Sequence, residues 1–210
     1  MNKFIWRIEY SLTLFAIFAG ILFVIPTSFS SKNAVFISRW NSEYNKIEYM
    51  FTAMSAMAES DIVNNLKNAQ TDSEREKLMF QLVKPYLRLS ENLNRRRYAP
   101  HYMNGRTVEK NDLYYFDSIY NADDNIIIGL KDIENHSVDS PVFLMMIDTN
   151  GYKRPNTWGR DIFGLNIYKD GNVNAIGYGW DVEKLRNDCS KTGTGLSCSH
   201  FYRIGGEFVE

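Results

Sequence analysis

Hydrophobic residues follow two different periodicities along this chain, and the change separates a helical first part from a strand-rich second part. Residues 10–25 read YSLTLFAIFAGILFVI and carry no charge. Beyond Pro26, apolar residues recur at intervals of three and four, the spacing of one helix face. These residues are Phe36, Trp40, Tyr44, Ile47, Phe51 and Met54. The pattern predicts one helix that is apolar at first and amphipathic afterwards.

A second helix is predicted after the polar stretch of residues 58–71. Thr71 and Glu74 have the spacing of a capping box, in which each side chain accepts a hydrogen bond from the other residue's backbone N–H. An apolar stripe with Pro85 inside it follows, formed by Leu78, Met79, Leu82, Val83 and Tyr86. We expect residues 87–112 to run irregularly over the surface.

From residue 113 onward the apolar runs are short and separated by Asp, Asn and Gly, which is typical of strands joined by turns. The runs cover residues 113–120, 125–133, 141–148, 162–171, 173–179 and 200–210. An antiparallel sheet packed on the long helix accommodates all of them. The sequence therefore predicts an α+β protein, with an anchor at residues 1–30 and an exported domain at residues 31–210.

The apolar residues 10–25 are nearly long enough to span a bilayer, because a helix rises about 1.5 Å per residue and the hydrocarbon core is about 30 Å thick. Lys3 and Arg7 precede them and favour a cytoplasmic amino terminus. The same features fit a secretory signal, with residues 28–30 as a small-x-small cleavage site. We favour a single-pass anchor, and a cleaved signal is the alternative.

Composition and cysteine usage narrow the function further. The net charge of −1 argues against a nucleic-acid partner, since phosphate contacts need a cationic excess. Cys189 and Cys198 are joined by a Gly-containing connector that closes easily. We expect a disulfide there if the domain is exported, and two free thiols if it is cytosolic. No phosphate-binding, dinucleotide-binding, nucleophile-elbow or zinc-protease motif occurs, so we expect no enzymatic activity.

The amino-terminal arrangement resembles that of type IV pilins and type II secretion pseudopilins. Glu9 stands before the apolar helix and lies the same distance ahead of Pro26 as the family's glutamate lies ahead of its Ile-Pro. By that register Ile5 begins the mature helix, which the family methylates at its amino terminus. Phe4 occupies the place of the glycine that the prepilin peptidase requires. The resemblance therefore leaves open a processed chain and an uncleaved one.

The family resemblance also implies a role for Glu9. In pilin assemblies the glutamate meets the free amino terminus of a neighbouring subunit inside the membrane, which offsets the cost of an unpaired charge and sets axial register. In an uncleaved chain Glu9 would pair with Arg7 of a neighbour instead. The alternative is an interfacial glutamate that reaches water and has no partner.

A second resemblance lies in residues 148–161. Some pilin-like proteins carry the motif Asp-x-Asn-Gly-x-x-x-Pro-Asn-x-x-Gly-x-Asp-x-Phe, and this chain matches it at Asp148, Asn150, Gly151, Pro155, Asn156, Gly159, Asp161 and Phe163. The carboxyl end agrees as well, with two cysteines before a predicted last strand. This resemblance implies a specialised loop at this place in the domain.

The chemistry of this loop allows two interpretations. Asp148, Asn150, Asn156 and Asp161 supply the oxygen ligands that calcium prefers, and related major pseudopilins use calcium structurally. Alternatively, the Asp and Asn side chains bond their own backbone and Asn150-Gly151 makes a hairpin turn. We favour the turn interpretation, because only two of the four ligands are anions and basic residues are interleaved with them.

Taken with the anchor, the resemblance implies a structural subunit of a type IV pilus or type II secretion filament in the bacterial inner membrane. Its domain would be periplasmic or extracellular, and its partners would be other pilin or pseudopilin subunits, the assembly machinery and membrane lipid. The alternative is an exported binding or sensor module, tethered or secreted, with a cation-binding loop. No repeat was found that would indicate a solenoid.

Overall fold

A computed structural model describes residues 2–58, 69, 71–90, 98–133 and 140–207; in the first helix, side chains are described at residues 13–18 and 33–56. The chain divides into two compact units, Met1–Val35 and Phe36–Glu210. The described helices are α1 Asn2–Ala58, α2 Asp72–Leu87, α3 Val182–Asp188 and α4 Cys198–Phe201. The described strands are β1 Ser118–Asn121, β2 Ile127–Asp132, β3 Phe143–Asp148, β4 Ile162–Ile167 and β5 Val173–Ala175. The predicted α+β class is confirmed.

The first unit consists of helical residues of α1. Four apolar side chains in its described part are exposed: Leu14, Phe15, Ile17 and Phe18. The backbone of Ile5, Glu9 and Pro26 falls within α1, and their side chains lie outside the described part of the structure. Within the described residues, no helix is both long and apolar enough to cross a membrane.

In the second unit, α1 supplies one wall of the core. The predicted amphipathic face is confirmed, because Trp40, Ile47 and Phe51 are completely buried. Trp40 stacks on Phe163 of β4 with ring centroids 4.9 Å apart, and its indole N–H donates to Ser199 O at 2.9 Å. This one side chain therefore ties α1 both to the sheet and to α4.

The second helix forms as predicted. Thr71 caps α2 and exchanges hydrogen bonds with Glu74, which satisfies backbone N–H groups that the first turn leaves unpaired. Arg75 pairs with the buried carboxylate of Asp132 on β2 at 2.8 Å. The ring of Phe80 stacks on that of Tyr120 at 4.2 Å. Both contacts hold α2 against the sheet.

The five strands form one antiparallel sheet in the order β1-β2-β3-β4-β5. Alternate residues of β3 belong to two different hydrophobic clusters, as the two-residue period of a strand requires. Phe143, Met145 and Ile147 face the cluster that contains α1 and α2. Leu144 and Met146 face a second cluster, whose other members include Tyr98, Tyr102, Phe116, Trp158 and Leu196. Both faces of the sheet are therefore covered.

One prediction about the carboxyl-terminal part was wrong, and one helix there was missed. Residues 200–207 do not form a strand; they continue α4 and enter a short 3₁₀ turn, Tyr202–Ile204. The adjacent residues Phe201 and Tyr202 are both buried and Ile204 is exposed, as suits a helical turn packed on the core. In addition, α3 was not predicted; it begins after Asp181, whose carboxylate accepts the Lys184 N–H at 2.9 Å. Residues 208–210 lie outside the described part.

The complete burial of Trp40 predicts that Trp40→Ala lowers stability strongly. We expect the free energy of unfolding to fall by about 3–5 kcal/mol, since the change removes a buried aromatic ring and leaves Ser199 O without its donor. Chemical denaturation followed by circular dichroism measures it. Tyr49→Ala on the same helix is the control, because Tyr49 is 76% exposed and its loss should change stability by less than about 0.5 kcal/mol.

Candidate functional site

The motif loop begins at the end of β3 and closes at the start of β4. Its two acids lie at its base, because Asp148 and Ile162 are partners in the β3–β4 ladder and Asp161 directly precedes Ile162. The Thr149 N–H donates to Asp161 O at 2.8 Å, which joins the two ends of the loop. Asp148 and Asp161 are both completely buried. The structure thus brings together the two carboxylates that the sequence singled out.

Asp148 organises the first half of the loop. Its Oδ1 accepts the backbone N–H groups of Asn150 at 3.0 Å and Gly151 at 2.8 Å. Its Oδ2 accepts the hydroxyl of Tyr98 at 2.8 Å, and that hydroxyl also lies 3.8 Å from the sulfur of Met146. The carboxylate therefore folds the turn that follows it and attaches that turn to a distant segment.

Asp161 does the same for the second half. Its Oδ2 accepts the Asn156 N–H at 2.8 Å, and its Oδ1 accepts the Thr157 N–H at 2.7 Å. The Asn156 amide, in the orientation that satisfies its hydrogen bonds, donates to Gly151 O at 3.1 Å and Lys153 O at 2.7 Å. These contacts tie the two halves of the loop to each other.

Burial makes both carboxylates difficult to ionise. It raises the pKa of Asp148 well above its usual range, the charge of Asp161 raises that pKa further, and the N–H of Asn150 and the Tyr98 hydroxyl oppose the increase. Burial likewise raises the pKa of Asp161 from 3.8 to about 6, against the lowering effect of the Thr157 and Asn156 N–H groups. Both acids are therefore harder to ionise than acids in water, and the N–H and O–H groups around them offset only part of this cost.

These contacts bear on the two interpretations of the loop. The side chains of Asp148, Asn156 and Asp161 bond the loop's own backbone, which favours the turn interpretation. The prediction that Asn150-Gly151 makes a hairpin turn between two strands is wrong, because all of residues 149–161 separate β3 from β4. Among the described residues, no group of three His, Cys, Asp or Glu side chains is arranged to hold a metal ion. Calcium binding by Asp148, Asn150, Asn156 and Asp161 stays a prediction.

Close approach explains two glycines of the motif. A Cβ atom at Gly151 would lie 2.2 Å from Asn125 O, and one at Gly159 would lie 2.5 Å from the sulfur of Cys198. Both glycines also have positive φ, at 70° and 80°, where other residues are strained. A side chain at either position would force apart two segments of backbone.

The contact at Gly159 joins the motif loop to the cysteine loop. Cys189 and Cys198 form a disulfide, in agreement with the prediction for an exported domain. The Tyr202 hydroxyl donates to Gly159 O at 3.0 Å. Trp158 and Leu196 belong to the same buried cluster. The two motifs that the sequence identified separately therefore pack directly against each other.

Three residues in this assembly were not predicted. Tyr98 belongs to no motif, Trp158 occupies an unspecified position of the loop motif, and their partners lie far away in the sequence. Asp188 directly precedes Cys189, and its carboxylate accepts the backbone N–H groups of Thr194 and Ser197, both at 2.9 Å. It folds the cysteine loop as Asp148 folds the motif loop. An acid adjacent to the first cysteine was the only signal that pointed to this role.

Asp148→Asn tests the acid pair. An asparagine amide oxygen still accepts the two N–H groups, and its NH₂ group can donate to the Tyr98 oxygen, whose hydroxyl already lies 3.8 Å from the Met146 sulfur. We expect the free energy of unfolding at neutral pH to rise, because the neutral amide avoids the cost of burying a charge that raises the pKa of Asp148. Asp161→Asn is the matched variant. It should destabilise by about 1–3 kcal/mol, because its NH₂ group must face an N–H donor.

The pH dependence has a definite sign. The pKa of Asp161 is about 6 in the folded chain and has its ordinary value of 3.8 in the unfolded chain. Between these values the folded chain binds more protons than the unfolded chain. The free energy of unfolding should therefore fall as pH rises through that interval. Asp148→Asn should flatten this fall. The melting temperature measured across this pH range, with and without calcium, checks both expectations. A calcium-dependent rise in wild type that Asp148→Asn abolishes would contradict the turn interpretation.

No family model, curated protein or solved structure matches this chain. The likeness to pilins therefore depends on the amino-terminal residues and the loop motif quoted above.

Proposed function

We propose that this chain is a membrane-anchored, pilin-like or pseudopilin-like structural subunit of a type IV pilus or type II secretion filament. The observation that carries the proposal is the continuous helix α1, Asn2–Ala58. Its later part is buried against an antiparallel sheet, and its earlier part exposes Leu14, Phe15, Ile17 and Phe18 to solvent. A large exposed apolar surface on one helix marks a membrane or protein contact.

Two further features support a mechanical role. Apolar helix packing between subunits would supply the affinity, and Glu9 would supply the register through a partner amine or Arg7 of a neighbour. The described part of the second unit is built to be rigid, since the sheet is covered on both faces and a disulfide closes the cysteine loop. A subunit of this kind transmits force and performs no catalysis.

The second candidate is an exported binding or sensor module whose loop 148–161 holds a cation. The observation that favours it is the pair of buried acids, because a bound cation would offset the cost of ionising both. Against it, the oxygens of both acids accept hydrogen bonds from backbone N–H groups or a phenol. We therefore give the filament subunit precedence.

Glu9→Ala tests the assembly role. We expect incorporation into filaments to fall by about tenfold or more, because the partner cation would be left unpaired in the membrane. Filament recovery from cells, measured by immunoblotting against total protein, gives the ratio. Glu48→Ala is the matched control, since Glu48 lies on an exposed position of the same helix. Unchanged incorporation of Glu9→Ala would remove the pairing role.

Amino-terminal sequencing of the mature protein separates the two candidates. A chain that begins at Ile5 has been processed as a prepilin, and a chain that keeps Met1 is either an unprocessed pilin relative or a plainly tethered module. A chain that begins at Ser31 and is recovered in the soluble fraction has been secreted, and the proposed function would then be wrong.

A further inference from the structure

The chain contains two Asn-Gly dipeptides, Asn104-Gly105 and Asn150-Gly151. In such a pair the backbone nitrogen of glycine attacks the side-chain carbonyl carbon of asparagine. A new carbon–nitrogen bond closes a succinimide ring, the bond to the amide nitrogen breaks, and ammonia leaves with the glycine proton. Water then opens the ring to aspartate or isoaspartate. Because glycine follows asparagine in both dipeptides, we expect similar intrinsic reactivity at the two sites and a difference in rate that comes from the fold.

Asn104-Gly105 lies in an exposed turn that favours this reaction. The Arg106 N–H donates to Asn104 Oδ1 at 3.1 Å, which folds the side chain back over the next peptide bond. A hydrogen-bond donor at this oxygen also stabilises the negative charge that develops there during attack. Among the described residues, no heavy atom outside Gly105 and its two chain neighbours lies within 4 Å of a Cβ built at Gly105, so this side of the turn is open.

One hydrogen bond restrains the attacking nitrogen at this site. The Gly105 N–H donates to Tyr102 O at 2.9 Å and closes the turn. Asn104, Gly105 and Arg106 are all exposed. An exposed turn bond opens locally far more often than a bond in the core. The restraint therefore slows the reaction without preventing it.

Asn150-Gly151 has the opposite surroundings. Asn150 is 8% exposed, and no donor in the described part of the chain bonds its Oδ1 to stabilise a developing charge. The Gly151 N–H is held by the carboxylate of Asp148 at 2.8 Å. Asn125 O would lie 2.2 Å from a Cβ atom at Gly151, so the backbone there has no room to rearrange. Each of these features opposes ring closure.

We propose that Asn104 is a site of spontaneous deamidation, and that the folded loop protects Asn150 from the same reaction. The product places a new carboxylate next to Arg106, which lies 3.6 Å from Asp112. The modification therefore adds negative charge to the loop of residues 102–107 and gives Arg106 a second acidic neighbour. It leaves the candidate site at residues 148–161 chemically intact as the protein ages.

The test is to age the full-length native protein in mildly alkaline buffer and follow both sites by peptide mapping with mass spectrometry. We expect Asn104 to convert about tenfold faster than Asn150 or more, because reaction at the buried site needs local unfolding. Asn104→Gln should suppress the modification at this position, since glutamine would have to close a larger ring.

The same protein aged in urea is the control for intrinsic reactivity. The two sites should then convert at similar rates, because the unfolded chain has lost both sets of contacts. Equal rates in the native protein would overturn the proposal, as would a native Asn104 that stays unmodified while the urea-treated chain reacts. A rate difference that persists unchanged in urea would also overturn it, since sequence and not structure would be the cause.

Discussion

Burial of the sheet on both faces is the constraint on which the rest of the second unit depends. All six positions of β3 are buried, so neither face of this strand contacts water. Helices α1 and α2 cover one face. The other face is covered by side chains from irregular segments, among them Tyr98, Tyr102 and Trp158. Irregular segments at a core must satisfy their backbone polar groups without a helix or sheet ladder.

Carboxylates perform that task in this protein. Asp148, Asp161 and Asp188 each accept two or more N–H or O–H hydrogen bonds from the loops that they organise. Each acid thereby accepts hydrogen bonds from backbone N–H groups that would otherwise need water. The cost appears in the raised pKa values of Asp148 and Asp161, because burial disfavours their charged forms. Order in the loops is thus obtained at the expense of electrostatic energy.

The loops also support one another. The Met103 N–H donates to Thr194 O at 3.0 Å, and the Trp158 N–H donates to His101 O at 2.9 Å. The disulfide at Cys189 and Cys198 holds the cysteine loop closed beside Gly159. A set of loops tied together in this way presents a fixed surface. Such a surface supports the proposed role of a filament subunit, which has to keep its shape under load.

Much of the local structure could be predicted from the sequence. The amphipathic face of α1, the capping box of α2 and the short apolar runs of β2, β3 and β4 depend on residues close together in the chain, and all of them are present. The acids of the motif loop and the disulfide could be named for the same reason, although the fate of the acids, as turn formers or as cation ligands, could not be decided.

Only the tertiary structure decided which segments meet. The pairing of Tyr98 with Asp148, the stacking of Trp40 on Phe163 and the contact of Gly159 with Cys198 join residues far apart in the chain. The spacing of apolar residues along the chain does not indicate such contacts. The segment from residue 200 onward was mistaken for a strand, because a short apolar run fits a strand and a short helix equally well. The sequence by itself determined the local elements and their apolar faces, because these follow from spacing. Packing determined the sites, because burial and hydrogen bonding arise only when distant segments come together.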